Sequence, residues 1–350
     1  MNKLRIGFVG VGGMGQMAHL SNYSVLAALG QCELVALAEP KIELAHRVSR
    51  RYGVPKVYRD HTELLEGGGV DAIVAPQPYR RHSIIVPGLL RAGIPVFTEK
   101  PLTLSVEAGE QLVELGDRLQ VLHMVGYHKR SDPAVEYAKA VVDEWKVSQE
   151  YGRLRYIRVT MPPGDWMGGA DRPLMTDEPA PPAELEPMPT DMDEPTARAY
   201  DSFVNYYIHQ VNLIRHFLGE EYQLRYADPS GVLLVGESKS GVCVTLEMAP
   251  YSTTTEWHEQ ILIAFEKGYI NVSLPAPLVR QQAGEVTVMR DNGRGAPVTE
   301  RPHMPNRSAM RQQASNFIAA AQGEKPAPCT AREALEDLRI ARAYIHMVRG

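Results

Sequence analysis

Between residues 4 and 125, short continuous apolar runs alternate with stretches in which apolar residues recur every three or four positions. Runs of the first kind suit strands covered on both faces, and the second kind suits amphipathic helices; their alternation predicts a parallel βαβ sheet. Strands are expected at Leu4–Val9, Glu33–Ala38, Ala72–Ala75, Val96–Thr98 and Val121–Val125. Helices are expected at Gly15–Leu29, Ile42–Tyr52, His61–Leu65, Ile84–Ala92 and Val106–Leu119. Turn residues fall between them at Gly53-Val54-Pro55, Gly67-Gly68-Gly69 and Gly93-Ile94-Pro95. After about residue 150 the rhythm shifts to runs at Leu154–Met161, Gln223–Ala227, Val232–Gly236, Val242–Met248, Gln260–Phe265, Tyr269–Leu274 and Val286–Arg290. These predict a largely antiparallel open sheet, interrupted by a helix at about Ser202–Leu218 and followed by one at Ala331–Val348. The expected class is α/β: a doubly wound parallel sheet over residues 1–125, then an α+β domain over 126–350.

One segment breaks both patterns. Residues 161–198 hold nine prolines and nine acids between Pro162 and Pro195, the composition of an irregular solvated loop. Long loops in compact domains also serve as lids, and Trp166 is the residue in it suited to touch a ligand. Composition is otherwise that of a globular protein, with 44% hydrophobic and 23% charged residues. A net charge of −5 gives no electrostatic reason for nucleic acid or anionic membrane. No apolar run reaches the roughly 18–20 residues that span a bilayer, and Met1–Arg5 lead straight into a strand, leaving no room for a signal peptide. Cys32, Cys243 and Cys329 lie far apart without metal-ligand spacing, so buried thiols, no metal and a cytoplasmic location are expected.

The first strand opens into Gly10-Val11-Gly12-Gly13-Met14-Gly15 and then a helix. That context turns a weak glycine motif into a dinucleotide-binding Rossmann fingerprint. Gly10 permits the tight turn, Gly12 lets backbone approach a pyrophosphate, and Gly15 lets helix and strand pack closely. The amides and dipole at the helix start then hold the anion. The next strand ends in Glu39, 24 residues after Gly15, where a carboxylate accepts hydrogen bonds from the adenosine ribose and repels a 2′-phosphate. NAD is therefore favoured over NADP, although Lys41 and Arg47 stand nearby.

Thr98-Glu99-Lys100-Pro101 closes the fifth strand at the carboxyl edge of the sheet, where open α/β folds bind ligands. Together with the glycine loop, Glu39, Pro78-x-x-x-His82, Val125-Gly126-Tyr127, Asp132-Pro133-Ala134, Phe265-Glu266-Lys267-Gly268 and Asn316-Phe317-Ile318, it closely resembles the glucose–fructose oxidoreductase/inositol dehydrogenase/MocA (Gfo/Idh/MocA) family. The resemblance implies an NAD-binding Rossmann domain, a second domain whose sheet binds substrate, and hydride transfer at a ring carbon of a sugar, glycoside or cyclitol. On that basis Gly10, Gly12, Gly13, Met14, Gly15, Glu39, Pro78, His82, Glu99 and Lys100 are expected at the cofactor, with Lys100 also catalytic.

The family further places an Asp, a His four residues on, and an acid three beyond that along one helix. Here those positions read Asn205, His209 and Asn212. An asparagine can orient a hydroxyl or imidazole but carries no charge and takes no proton, so His209 is suited to act as a neutral base beside Asn205. Asp201 reads as that helix's N-cap, or else as a replacement carboxylate. His128, where the family has asparagine, Trp166, Asn205, Tyr206 and His209 join Lys100 as expected substrate contacts. Arg130 reads as part of a charged turn, and His216 as a helix-end charge partner. The resemblance also implies a homo-oligomer, a dimer or tetramer through the C-terminal sheet. Two other functions stay open: redox-neutral glycoside cleavage through a transient keto-sugar, and a non-catalytic dinucleotide-binding regulator.

Overall fold

The computed structural model describes residues 3–249 and 251–349, so the expected outer limits at Met1 and Gly350 lie outside it. By contacts the chain divides into one unit of residues 1–127, 170–193 and 313–338, and another of 128–169, 194–312 and 339–350. The first unit runs from the N-terminal side to residue 127, and 170–193 and 313–338 group with it although both lie inside the expected second domain of 126–350. Sequence proximity cannot show such a return, because it depends on which apolar and hydrogen-bonding groups find each other across the fold.

The first unit begins with β1 (Leu4–Val9), a π-helical turn (Gly15–Leu20) and α1 (Ser21–Ala28). It continues through β2 (Cys32–Ala38), α2 (Ile42–Tyr52), β3 (Lys56–Tyr58) and α3 (His61–Gly67). Then come β4 (Ala72–Ala75), α4 (His82–Arg91), β5 (Val96–Glu99), α5 (Val106–Leu119) and β6 (His123–Gly126). The strands pair in parallel in the order β3-β2-β1-β4-β5-β6. Ile6, Phe8, Leu37, Val74 and Phe97 are wholly or almost wholly buried in one core that also takes Phe317, whose ring lies 5.6 Å from that of Phe97. Beyond β6, Val125 N–H donates to the Cys329 carbonyl, which covers the sheet edge.

The second unit contains α6 (Pro133–Ser148), β7 (Leu154–Thr160), α7 (Glu194–Tyr206) and α8 (Ile208–Leu218). Its strands go on as β8 (Tyr222–Ala227), β9 (Leu233–Ser238), β10 (Cys243–Glu247), β11 (Glu259–Phe265), β12 (Gly268–Leu274), β13 (Glu285–Arg290) and β14 (Val298–Glu300). They form a sheet in the order β14-β13-β12-β11-β7-β10-β9-β8, antiparallel except that β7 and β10 run parallel. The chain ends in α9 (Ala309–Ala321) and α10 (Ala331–Arg349). The sequence pattern did not reveal α6, α9, β3 or β14. The helix expected at 202–218 is two helices parted at Tyr207, whose hydroxyl donates to the Met248 carbonyl. Cys243 is exposed, unlike the buried Cys32 and Cys329, and no described helix is long and apolar enough to cross a membrane.

His123 on β6 makes the first unit sensitive to acid. Its Nε2 shares a hydrogen bond with Thr98 Oγ1 at 2.9 Å, and burial, reinforced by His82, pushes its pKa down to about 3. An unfolded histidine takes a proton near pH 6.5. Between these values the unfolded chain binds the extra proton, so stability falls as pH drops below 6.5, by about 1.4 kcal/mol per unit from this residue. Urea denaturation from pH 6.5 to 5 should show this loss, and His123→Gln should flatten the slope by about that amount. Equal slopes in the two proteins would mean that His123 is not held neutral.

Candidate functional site

In the first unit the strand order reverses between β1 and β4, and the loops leaving their carboxyl ends border the crevice where such sheets bind ligands. Gly10 follows β1 with φ +97°, a left-handed conformation that disfavours any side chain. A Cβ at Gly15 would lie 2.8 Å from the Gly10 carbonyl oxygen, so only glycine lets the helix begin there. A Cβ at Gly12 would meet nothing within 4 Å, which leaves its backbone open to a ligand. Glu39, at the end of β2, is buried; one carboxylate oxygen accepts from Val11 N–H at 3.0 Å and the other from Lys41 N–H at 3.2 Å. The acid at the end of β2 and the glycine turn are thus physically joined. Gln77, which the sequence reading passed over, ties the two strand ends together by donating to the Val9 carbonyl at 2.9 Å.

Lys100 leaves β5 through a cis peptide bond to Pro101 and is partly buried. Beside it Glu99 accepts a hydrogen bond from His19 at 2.7 Å. Burial opposes ionisation of Glu99, but His19 and Lys100 outweigh it and hold the carboxyl below its ordinary range. His19 was missed because a histidine inside a helix carries no signal of its own. Pro78 opens the turn after β4. His82, expected at the cofactor, is instead buried and bonded through Nδ1 to the Leu102 carbonyl at 2.9 Å. Burial also keeps its pKa low. It braces the turn that follows Lys100, which makes it a positioning residue.

The second unit gathers a different set. His128 and His209 are both buried, with ring centroids 4.6 Å apart in an edge-on arrangement. Arg130 is not part of a solvated turn: it is buried and donates through Nε to Asn212 Oδ1 at 2.6 Å. Behind them lies a network the sequence did not reveal. Glu259 at the start of β11 pairs with Lys129, accepts from Gln210 Nε2 at 2.7 Å and accepts from Trp257 Nε1 at 3.2 Å. Burial lowers the Lys129 pKa, and the Glu259 charge opposes that shift. Lys129 also stands 5.3 Å over the Trp257 ring.

Asn205 is exposed on α7 while His209 is buried on α8, so the two do not share one unbroken helix as expected. Asp201 lies inside α7, which starts at Glu194, and therefore cannot be its N-cap. His216 is half-buried, and desolvation with nearby Arg130 drives its pKa well down, which argues against the charged helix-end role. Tyr206 is half-buried in edge-on contact with Tyr207, and Trp166 stays 41% exposed.

The glycine turn, the open approach at Gly12 and the carboxylate of Glu39 fit a dinucleotide, with NAD as the group they suit. Comparisons with known proteins agree. Residues 4–127 match the model of an oxidoreductase family with an NAD-binding Rossmann fold. Over 209 residues the chain is 28% identical to the scyllo-inositol 2-dehydrogenase (NAD(+)) of Bacillus subtilis, covering 60% of this chain and 53% of that protein. Over 234 residues it is 26% identical to the myo-inositol 2-dehydrogenase of Thermotoga maritima, covering 67% and 60%. The matched stretch thus spans a little over half the length of these relatives. Among solved structures, the scyllo-inositol dehydrogenase of Lactobacillus casei with bound NAD(H) and scyllo-inositol superposes with a TM-score of 0.69 at 20% identity, over 99% of this chain and 97% of that one. An NADPH-dependent oxidoreductase structure from Desulfitobacterium hafniense gives 0.77 at 13%, over 99% and 96%. At these identities the structures establish a shared fold.

The Lys129–Glu259 pair yields a stability test. Glu259→Ala strands a buried ammonium and leaves the Gln210 and Trp257 donors without their acceptor, and should cost about 3–5 kcal/mol. Replacing both charges, as Lys129→Met with Glu259→Leu, should recover most of that loss. Urea denaturation of the three proteins checks it; a single variant as stable as the parent would show that the pair is not desolvated.

Proposed function

We propose that the chain, whose residues 4–127 match the model of that oxidoreductase family, is a Gfo/Idh/MocA-type NAD-dependent dehydrogenase acting on a CH–OH carbon of a sugar, glycoside or cyclitol. The observation that carries this reading is the join between the glycine turn and Glu39, on the same sheet edge that presents Lys100. The dinucleotide would lie along Gly10–Gly15, its pyrophosphate on the amides of the following helix and its adenosine ribose on Glu39. When bound, its nicotinamide supplies the redox chemistry by accepting or returning a hydride.

The protein's part is to orient the substrate and move a proton. Lys100 hydrogen-bonds the reacting hydroxyl and, as a cation, lowers the cost of negative charge on that oxygen. Its backbone is fixed by the Pro101 turn that His82 braces. In the second unit His209 is the group suited to take up a proton, with His128 packed against its ring limiting how that ring can turn. Arg130 and Asn212 hold one another by a hydrogen bond on the helix that carries His209. Proton transfer of this kind contributes a factor of about 10²–10⁴. The inositol dehydrogenase relatives favour cyclitols as the first substrates to try.

A polyol and glycoside screen following nicotinamide absorbance should give NADH accumulation with at least one substrate. Lys100→Ala should lower kcat by about 10²-fold or more while NADH binding persists. Full turnover in that variant would remove Lys100 from the mechanism. Product release without net NADH would favour redox-neutral cleavage, and tight NAD binding with no turnover on any substrate would favour a regulatory role.

A further inference from the structure

Residues 170–193 contain no helix or strand, yet they belong to the dinucleotide unit and are held to it by specific bonds. Leu174 exchanges two hydrogen bonds with the carboxamide of Gln16, immediately behind the glycine turn. Its N–H donates to Oε1 at 2.8 Å, and its carbonyl accepts from Nε2 at 3.0 Å. Arg47 on α2 donates to the Met175 carbonyl at 2.9 Å. Glu178 then lays its carboxylate on the first turn of α2, accepting from Glu43 N–H at 2.9 Å and Leu44 N–H at 3.0 Å. Thr176 donates to the same carboxylate at 3.2 Å. Farther on, the buried Glu186 accepts from the backbone amides of Leu104 and Ser105 at 3.2 and 2.7 Å.

The place Glu178 occupies has a chemical meaning. In a dinucleotide fold the acid ending the second strand contacts the adenosine 2′-hydroxyl, and a 2′-phosphate is accommodated by cations close by. Free amides at a helix start add to such an anion site. Here the groups just past Glu39 are Lys41, the first-turn amides of α2, and Arg47. Lys41, at the N-cap position, gives α2 no side-chain cap, so these amides need an acceptor from elsewhere. Four consecutive residues, Met175 to Glu178, supply that acceptor and also engage Arg47.

We propose that Glu178 is a cofactor-specificity residue, an internal carboxylate seated where an adenosine 2′-phosphate would bind. This rests on the reading of the first unit as an NAD site. Glu39 by itself leaves Lys41 and Arg47 available to a phosphate. Glu178 removes that option in two ways: it fills the amide site, and it adds a second negative charge next to the incoming dianion. NAD, which has only a hydroxyl there, meets neither obstacle.

The test is to measure Kd for NADH and for NADPH by nicotinamide fluorescence on the full chain, for the parent, Glu178→Ala and Glu178→Gln. The readout is the ratio of the two constants, which a general loosening of residues 170–193 does not change. The parent should prefer NADH, and Glu178→Ala should shift the ratio toward NADPH by about tenfold or more. Glu178→Gln retains an amide-accepting oxygen without the charge, so it should fold like the parent and shift the ratio less. An unchanged ratio in both variants, with NADH still bound, overturns the role of Glu178 alone. A parent that binds both cofactors equally overturns it too. A parent that binds neither overturns the NAD reading beneath it.

Discussion

The approach of Gly15 to the carbonyl oxygen of Gly10 sets the terms for the dinucleotide unit. With only 2.8 Å available to a Cβ, no other residue lets the helix begin so close to the end of β1. That closeness brings helix amides to the sheet edge at the point where strand order reverses. The other parts of the edge are arranged around it: Glu39 grips the turn through Val11, Gln77 ties β1 to β4, and Gln16 reaches out to Leu174. The turn is thus built from backbone, and side chains hold it in place at the sheet edge.

Each unit also removes charges from water and must compensate them where they lie. Glu99 is met by His19, Glu186 by backbone amides, and Lys129 by Glu259 with its two further donors. A buried ion pair of this kind adds little net stability but is costly to break, so it enforces one arrangement over its alternatives. At Lys129 the effect reaches the helix that bears His209, because Gln210 on that helix donates to Glu259. At Glu99 it reaches Lys100, the next residue along the chain.

The parallel strands, the glycine turn and the acid at the end of the second strand were legible because each follows from local rules, whereas Lys100 was singled out only through the family resemblance. Apolar runs four to seven residues long mark buried strands, and a glycine spacing marks a turn no other residue can make. The break between α7 and α8 was not legible. No glycine or proline announces it, and Tyr207 is held there by the Met248 carbonyl, 41 residues away. His82 and His216 misled for a related reason: a histidine's role follows from its burial and neighbours, which its position in a motif does not disclose.

By itself the sequence determined the class of fold, the glycine turn and the acid that ends the next strand, since these depend on residues near one another along the chain. Only the tertiary structure decided which charges are buried, which helix breaks, and what becomes of residues 170–193. In the sequence, Glu178 and Glu186 are two among nine acids of a proline-rich loop. In the fold, one caps α2 and the other is buried on the amides that precede α5. Hydrogen bonds spanning 81 to 135 residues made that distinction, and periodicity along the chain carries no record of them.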